Sequence, residues 1–363
     1  MKLPADVVSR LRSKYQGRSV CVTGGAGFIG GHLCDALLAL GATITVLDDL
    51  SNSTAEHVAS LMDLEPRRVR FVHGSVLDDD ALIEASGRSS GGDGCQIVFH
   101  LAAIGSVPKS VANPQRAWSV NATGTLRVLV AASSRSAGGH GPSAERVVLA
   151  SSSSVYGDPA VSVGASLPPL PKTETMLPRP LSPYAASKLA AESLMAAWSH
   201  CYGVSTVSLR YFNVFGPRQS PDSEYAAVVP AMAKRLLSGH QASIFGDGKQ
   251  GRDFTYVGNA VLGTLLAGVA EWPFRGEAVN VAAGRRTTVL ELAQMLARAC
   301  GADGRSPEFL PERSGDVRDS LADLGRAREM LGYEPVTSLE AGIVETMAHY
   351  RTIFGIGAGS RPS

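Results

Sequence analysis

The stretch SVCVTGGAGFIGGHLCDALLALG, residues 19–41, decides the fold. It opens as a short β-rich run, and glycines then recur at Gly24, Gly27 and Gly30 where a helical pattern begins. Glycine allows a tight turn and the close approach of a pyrophosphate to the backbone, and the N-terminus of the following helix offers free N–H groups. The stretch therefore predicts a strand–turn–helix unit that binds the phosphates of a dinucleotide.

The next β-rich run, residues 42–49, carries an acid near its end. Asp48 stands where a carboxylate can accept hydrogen bonds from the 2′-hydroxyl of an adenosine ribose. The same carboxylate disfavours a 2′-phosphate at that place. We therefore expect NAD as the cofactor rather than NADP.

Working outward, short β-rich runs alternate with longer helical patterns, and the runs lie at 19–24, 42–49, 69–76, 96–103, 146–154 and 204–213. Continuous apolar strands with helices between them are typical of a parallel sheet that is covered on both faces. The pattern predicts an α/β fold, a Rossmann-type doubly wound parallel sheet with a smaller α/β substrate domain after it. Helices are expected at about 27–40, 114–135 and 183–201.

The alternation breaks up after residue 213, which suggests two domains. We expect an NAD-binding domain over residues 15–213, with 257–283 packing back on it. A smaller domain for the substrate is expected to comprise 214–256 and 284–352. Residues 353–363 are expected to be a flexible tail.

Composition excludes several classes of protein. The 363 residues hold 34 Lys+Arg against 33 Asp+Glu, a net charge of +1, so no basic surface for nucleic acid is expected. The N-terminus has no apolar run of signal-peptide length, and no apolar stretch is long enough to cross a membrane. The 5 cysteines are odd in number and far apart, without metal-ligand spacing. These observations predict a reduced, metal-free cytoplasmic protein.

Two further motifs carry catalytic side chains. ASSSSVYG, residues 150–157, ends the fifth β-rich run, and SPYAASK, residues 182–188, opens a helix. Tyr184 and Lys188 are four residues apart and share a helix face. An ammonium group and a positively charged nicotinamide both favour the phenolate, so Tyr184 could take a hydroxyl proton. A serine at the strand end could hold the same hydroxyl group.

With these motifs in place, the chain resembles the extended short-chain dehydrogenase/reductase family, and within it the nucleotide-sugar 4-epimerases. The motifs that carry the resemblance are TGGAGFIG at 23–30, HLAA at 100–103, VNATGT at 120–125, SSSSVYG at 151–157, SPYAASK at 182–188, LRYFNVFGPRQ at 209–219, GRDFTYV at 251–257 and RSGDVRDSLAD at 313–323. Together they span nearly the whole chain.

The resemblance implies a role for each matching residue. The implied catalytic residues are Ser152, Tyr184 and Lys188. The implied NAD-binding residues are Gly24, Gly27, Phe28, Ile29, Gly30, Asp48, Ser75, Val76, Leu101, Ala102, Ala103, Asn121, Tyr184, Lys188 and Tyr211. The implied substrate-binding residues are Ser106, Ser152, Ser153, Asn213, Tyr225, Arg252, Arg313, Asp316 and Ser320. Many relatives carry Asp where this chain has Ser75, so only a hydroxyl or backbone group is expected to contact the adenine there.

The residues around the serine cluster limit which reaction of the sugar is expected. Relatives that dehydrate or decarboxylate the sugar carry a carboxylate where this chain has Ser153 and Ser154. Reversible oxidation of the sugar at C4 is therefore the reaction for which this chain keeps the necessary side chains. Ser320 replaces a bulky tyrosine of galactose-restricted relatives and leaves room for an N-acetyl group, and the pair Gly105 and Ser106 resembles epimerases that prefer such sugars. We therefore expect a UDP-N-acetylglucosamine 4-epimerase, with UDP-glucose and UDP-hexuronate 4-epimerases as alternatives.

One alternative belongs to a different class, a non-catalytic NAD-dependent sensor that keeps the fold. The intact Ser152, Tyr184 and Lys188 argue against it, because a pure binder has no need of an activated tyrosine. The expected partners are a UDP-sugar and, by the resemblance, a second copy of the chain that packs through a four-helix face to form a homodimer.

Overall fold

The computed structural model describes residues 3–86, 94–133, 144–158, 170–221, 227–302, 304–312 and 317–355. Within them the helices are α1 Ala5–Tyr15, α2 Phe28–Ala39, α3 Glu56–Leu64, α4 Asp79–Ala85, α5 Val107–Ala112, α6 Pro114–Trp118, α7 Gly124–Ser133, α8 Pro183–Tyr202, α9 Val228–Leu237, α10 Val257–Val269, α11 Val289–Ala299, α12 Gly325–Leu331 and α13 Leu339–Ile353. The strands are β1 Ser19–Thr23, β2 Thr43–Asp48, β3 Val69–His73, β4 Ile97–His100, β5 Arg146–Ser152, β6 Ser205–Tyr211, β7 Val214–Phe215, β8 Ser243–Phe245, β9 Gly251–Asp253, β10 Thr255–Tyr256, β11 Arg275–Val281, β12 Arg286–Thr288, β13 Glu308–Leu310 and β14 Asp319–Ser320.

Seven of these strands form one parallel sheet in the order β11-β6-β5-β4-β1-β2-β3. The order reverses beside β1, which pairs with β2 on one side and with β4 on the other. In open parallel sheets, ligands bind in the crevice beyond the carboxyl ends of the strands at this reversal. The predicted Rossmann-type sheet is confirmed, and all six predicted strands lie in it.

Burial on both faces explains why these strands read as continuous apolar runs. Successive side chains of β1 enter two different apolar clusters: Val20 and Val22 lie in one, and Cys21 lies in the other. Helices α2 and α10 contribute to the first cluster, while α4, α7 and α8 contribute to the second. The sheet is therefore the middle layer between two layers of helices.

The helix predicted at 114–135 is interrupted. Asn113 caps α6 by accepting a hydrogen bond from the N–H of Arg116, and Pro114 occupies the first turn. A π-helical turn, Ser119–Thr123, then joins α6 to α7. Such turns are rare and often lie at functional sites. The helix predicted at 183–201 is α8, whose first turn is capped by Ser182.

Shorter strands stand apart from the large sheet. β9 pairs with β12 and β14, β7 pairs with β10, and β8 pairs with β13. The strand β11 pairs with β6 and so extends the large sheet. We propose that the small sheets belong to the substrate-binding unit and that 257–283 belongs with the large sheet. The last residues of the expected tail, 356–363, lie outside the described residues.

No helix in the described part of the chain combines the length and the apolar character that a membrane span requires. The same residues contain no group of His, Cys, Asp and Glu side chains arranged to hold a metal ion.

Candidate active site

A cavity of about 790 Å³ opens beyond the carboxyl ends of the large sheet, at the place where the strand order reverses. Its wall runs from the glycine turn after β1, past the ends of β2, β4 and β5, to the start of α8. On the far side, β9 and β14 contribute Arg252 and Ser320. The predicted residues on this wall are Gly24, Gly27, Phe28, Ile29, Gly30, Asp48, Ser75, Val76, Leu101, Ala102, Ala103, Ser152, Ser153, Tyr184, Lys188, Tyr211, Asn213, Arg252 and Ser320.

The glycine turn is fixed by contacts that exclude any side chain. Gly24 has a φ of +72°, and a Cβ there would lie 2.6 Å from the backbone nitrogen of Ala102 after β4. A Cβ on Gly30 would collide with the carbonyl oxygen of Gly24. Gly27 is the N-cap residue of α2 and has no side chain to cap it. The first residues of α2, Phe28 to Gly30, line the cavity, where the uncapped N–H groups of a helix start can bind a diphosphate.

Asp48 ends β2 beside this turn. Its carboxylate accepts hydrogen bonds from the N–H of Ala26 at 3.0 Å, the N–H of Leu50 at 2.9 Å and the hydroxyl of Ser53 at 3.0 Å. These bonds hold the acid in the cavity wall, and no cation of the described ranges forms an ion pair with it. The residues at this end of the cavity therefore fit the diphosphate and the adenosine ribose of NAD.

Tyr184 and Ser152 meet at the opposite end of the cavity. Ser152 is the last residue of β5, and its hydroxyl accepts a hydrogen bond from the N–H of Ser154 at 3.2 Å. The N–H of Tyr184 donates to the hydroxyl of Ser110 at 3.0 Å, which ties α8 to α5. Burial raises the pKa of the Tyr184 phenol, and a hydrogen bond with the Ser152 side chain lowers it in part. The net shift is upward.

Lys188 lies one turn further along α8 and is buried. Its ammonium group donates a hydrogen bond to the carbonyl of Ala150 at 2.7 Å. Burial lowers the pKa of Lys188 to about 8, and the charge of Glu192 opposes that change. In the protein alone, burial outweighs the influence that lowers the pKa of Tyr184. That Lys188 and the nicotinamide together favour the phenolate stays a prediction.

Asn213 and Arg252 stand together where a diphosphate is expected. The Asn213 side chain donates to the carbonyl of Asp253 at 3.2 Å, and Asn213 has a φ of +34°, a conformation that asparagine tolerates. Arg252 Nη1 donates to the carbonyls of Gly251 at 2.9 Å and Arg318 at 3.2 Å. Ser320 pairs with Arg252 across β9 and β14, so both lie on the same wall.

Two predicted residues do not line the cavity. Asn121 lies in the π-helical turn, where its side chain accepts from the N–H of Ile104 at 2.8 Å and donates to the Ser187 hydroxyl at 2.9 Å. Ser106 caps α5 and accepts from the N–H of Lys109 at 3.3 Å. Both support neighbouring residues of the wall. The predicted residues Tyr225, Arg313 and Asp316 lie outside the described residues.

Two cations of the wall, Lys172 and Arg116, were not predicted from the sequence. Lys172 is buried, donates to the carbonyl of Gly157 at 2.9 Å, and burial lowers its pKa to about 8. Arg116 lies near the adenosine end, 3.5 Å from Asp49. Lys172 comes from a proline-rich loop without periodicity, so no local pattern could have placed it. Arg116 could have been predicted from its position at the start of a helix that follows β4.

Comparison with known proteins assigns this chain to a family. The model of the NAD dependent epimerase/dehydratase family matches residues 20–282. A UDP-glucose 4-epimerase from Mycolicibacterium smegmatis is 39% identical over 332 residues, which cover 91% of this chain and 97% of that protein.

Two solved structures are similar over nearly their whole length. A UDP-N-acetylglucosamine 4-epimerase from Methanobrevibacter ruminantium is 32% identical with a TM-score of 0.81, covering 93% of this chain and 99% of that one. A UDP-glucuronic acid 4-epimerase from Bacillus cereus is 30% identical with a TM-score of 0.79, covering 92% and 99%. The resemblance drawn from the motifs is thereby confirmed. This chain is an enzyme of the NAD-dependent epimerase/dehydratase family, and its cofactor is NAD.

Proposed function

We propose that the protein inverts C4 of a UDP-hexose, with UDP-N-acetylglucosamine and UDP-N-acetylgalactosamine as its preferred pair. One observation carries this proposal: a single cavity joins the Ser152 and Tyr184 pair, Lys188, the Arg252 wall and the NAD end. A nucleotide sugar that reaches from Arg252 to Tyr184 would present its hexose to the tyrosine.

In the proposed reaction, Tyr184 takes the proton of the 4-hydroxyl group while Ser152 holds that oxygen by a hydrogen bond. NAD, when bound, would supply a reversible acceptor for the C4 hydride, which goes back to the opposite face of C4, and a positive charge that favours the phenolate. Tyr184 later returns the proton to the same oxygen. Lys188 keeps a positive charge at the base of the site, and Arg252 and Asn213 hold the diphosphate while the 4-keto hexose turns its other face.

The positions of the acids in the cavity wall favour epimerisation over dehydration. Dehydration is the reaction named for some other relatives. A dTDP-glucose 4,6-dehydratase from Streptomyces niveus is 32% identical to this chain. Removal of water from the sugar calls for an additional acid and base near the hexose. Among the described residues of the cavity wall, the carboxylates are Asp48 and Asp49, both at the adenosine end. Ser153 and Ser154 occupy the wall beside Ser152.

The small side chain of Ser320 supports an N-acetylated hexose. Ser320 is buried on the wall opposite the sheet, and a serine there leaves space that a tyrosine would fill. UDP-glucose and UDP-glucuronic acid are the alternatives, because a relative named for the first is 39% identical to this chain and one named for the second is 30% identical.

The test is to incubate the purified protein with each UDP-sugar and follow C4 inversion by NMR. We expect N-acetylglucosamine and N-acetylgalactosamine to interconvert with the highest kcat/KM. A higher kcat/KM for glucose or glucuronic acid would reassign the substrate. Absence of inversion with every UDP-sugar would contradict the proposed function and favour a protein that binds NAD without turnover.

A further inference from the structure

A buried ion pair lies behind the active site and has no part in the proposed reaction. Arg210 on β6 and Glu192 on α8 form it, with side-chain exposures of 5% and 7%. Neither residue lines the cavity. Burial of two charges has a desolvation penalty that often exceeds their attraction, so such a pair is weak evidence for stability.

Three hydrogen bonds fix the Glu192 carboxylate. Arg210 donates to it through Nε at 3.0 Å and through Nη2 at 2.7 Å. The hydroxyl of Ser151 donates to Glu192 Oε1 at 2.6 Å. Ser151 directly precedes Ser152, the proposed partner of the substrate oxygen. The carboxylate therefore anchors the end of β5 to α8.

The same carboxylate lies one helical turn below the proposed catalytic lysine. Lys188 and Glu192 are four residues apart on α8 and so share a face. The Lys188 ammonium donates to the carbonyl of Ala150, which is the residue before Ser151. Glu192 and Lys188 thus hold adjacent residues of the same strand end from the same helix face.

The other ionisable groups around Lys188 leave Glu192 as its counter-charge. From β4 comes His100, which burial keeps neutral by lowering its pKa to about 3. Tyr184 precedes Lys188 on α8. The Arg210 guanidinium, from β6, packs over the ring of Tyr156 at 4.5 Å from the ring centroid. Of these described groups, Glu192 is the acid whose charge favours protonated Lys188, against the opposing effect of burial.

We propose that Glu192 is a positioning residue of this enzyme: it anchors the strand end that carries Ser152 and supplies the negative charge that keeps Lys188 an ammonium ion beside Tyr184. This inference rests on the proposed function for its catalytic meaning. A purely structural role would predict lower stability and a uniform loss of activity. The proposed role predicts instead a change in the pH at which Lys188 loses its proton.

The experiment titrates Lys188 directly in NAD-loaded protein. Lysine labelled with ¹³C at Cε gives one signal for each lysine, and the signal of Lys188 is identified by its loss in Lys188→Arg. We expect the wild-type signal to titrate below the ordinary range of a lysine, because burial lowers the pKa of Lys188. In Glu192→Gln, which keeps the shape of the side chain and removes its charge, the midpoint should fall by about one pH unit, a tenfold smaller ammonium fraction above both midpoints.

The pH profile of kcat supplies the second readout. Because the proposed site needs charged Lys188, kcat should decline as the pH rises through the Lys188 midpoint. The decline should begin at a lower pH in Glu192→Gln, with about tenfold loss at alkaline pH and a KM for the UDP-sugar close to that of the wild type. An unchanged Lys188 midpoint, or a kcat reduced equally at every pH, would overturn the inference.

Two further variants keep the test decisive. Glu174→Gln is the matched control: Glu174 is another partly buried acid near Arg210, and it accepts from the N–H of Asn280 at 2.8 Å, so its loss should leave the Lys188 midpoint in place. If the unpaired Arg210 prevents Glu192→Gln from folding, Glu192→Gln with Arg210→Met removes both buried charges, and a smaller fall in midpoint is expected, because a nearby cation is lost together with the acid. Absent turnover in the wild type would count against the proposed function alone, since the titration still decides the role of Glu192.

Discussion

At the reacting end of the cavity, burial affects two neighbouring groups in opposite directions. It raises the pKa of Tyr184 and lowers that of Lys188, since in each case it disfavours the charged form. Left alone, the phenol keeps its proton at neutral pH. In the proposed reaction the positive charge of the nicotinamide would favour the phenolate, so we expect proton abstraction by Tyr184 to depend on bound cofactor.

Replacement of Tyr184 tests this assignment. Tyr184→Phe removes the hydroxyl and keeps the ring, so we expect kcat to fall by about a hundred- to ten-thousand-fold, the range typical of a lost general acid or base. The dissociation constant for the UDP-sugar should change much less, which isothermal titration measures. Near-normal turnover would place the base elsewhere.

Ser320 should control which hexose is accepted. Ser320→Tyr fills space on the wall beside Arg252, and overpacking of about 1 to 3 kcal/mol corresponds to a rate loss of about 5- to 150-fold. We expect that loss for UDP-N-acetylglucosamine and a smaller one for UDP-glucose. The measurement is kcat/KM for both sugars in wild type and variant. An unchanged ratio would remove the main support for an N-acetylated substrate.

At the scale of elements, β9 links the two sides of the cavity. Its last residue, Asp253, is buried and accepts hydrogen bonds from the N–H groups of Ala283, Gly284 and Ala322, at 3.0, 3.0 and 3.2 Å. The first two follow β11 of the large sheet, and Ala322 follows β14. The Asp253 carboxylate thereby holds β9, the strand that carries Arg252, to the segments that follow β11 and β14.

Asp253→Asn should loosen this junction. The amide presents N–H groups to backbone donors, and each unpaired buried polar group costs about 1–3 kcal/mol, so we expect the free energy of unfolding to fall by that amount. Urea unfolding at several pH values is the measurement.

The pH dependence provides an internal check on that variant. Burial raises the pKa of Asp253 to about 6, so the folded state binds more protons than the unfolded state between its ordinary pKa and that value. Its contribution to stability therefore declines as the pH rises toward 6. The asparagine variant should lack this decline, and equal slopes in both proteins would show that Asp253 does not titrate as described.

Helices and strands can be predicted from the sequence where local periodicity and capping residues determine them. The strand runs, the glycine turn and the Ser182 cap each depend on residues close together in the chain, and the structure contains all of them. The ion pair of Glu192 and Arg210 and the place of Lys172 depend on residues that meet only after folding. The π-helical turn at Ser119–Thr123 is an interruption that apolar periodicity does not reveal.

At the scale of the whole molecule, the residues proposed for the cofactor and those proposed for the substrate line one cavity. A reaction that returns its hydride to the sugar leaves the cofactor as it began. We therefore expect NAD to accompany the purified protein and turnover to cause no net redox change, as followed by absorbance at the wavelength of NADH. Stoichiometric accumulation of free NADH during turnover would contradict a closed cycle.

Exposed apolar side chains on the face of α6 and α7 bear on assembly. Trp118 is 50% exposed and Leu126 is 36% exposed. We predict a homodimer that covers this face, so the wild type should elute at twice the chain mass, and Leu126→Glu should shift it toward the monomer. A monomeric wild type at micromolar concentration would contradict this prediction.

The pairing of β11 with β6 has a consequence for biosynthesis. When a ribosome has released residues 205–211, the backbone N–H and C=O groups along one edge of β6 have no strand beside them until residues 275–281 emerge. An unpaired strand edge is a template for aggregation. The nascent chain must therefore make the whole intervening segment before its main sheet is closed on that side, and premature termination within residues 212–274 should yield products that depend on chaperones to remain in solution.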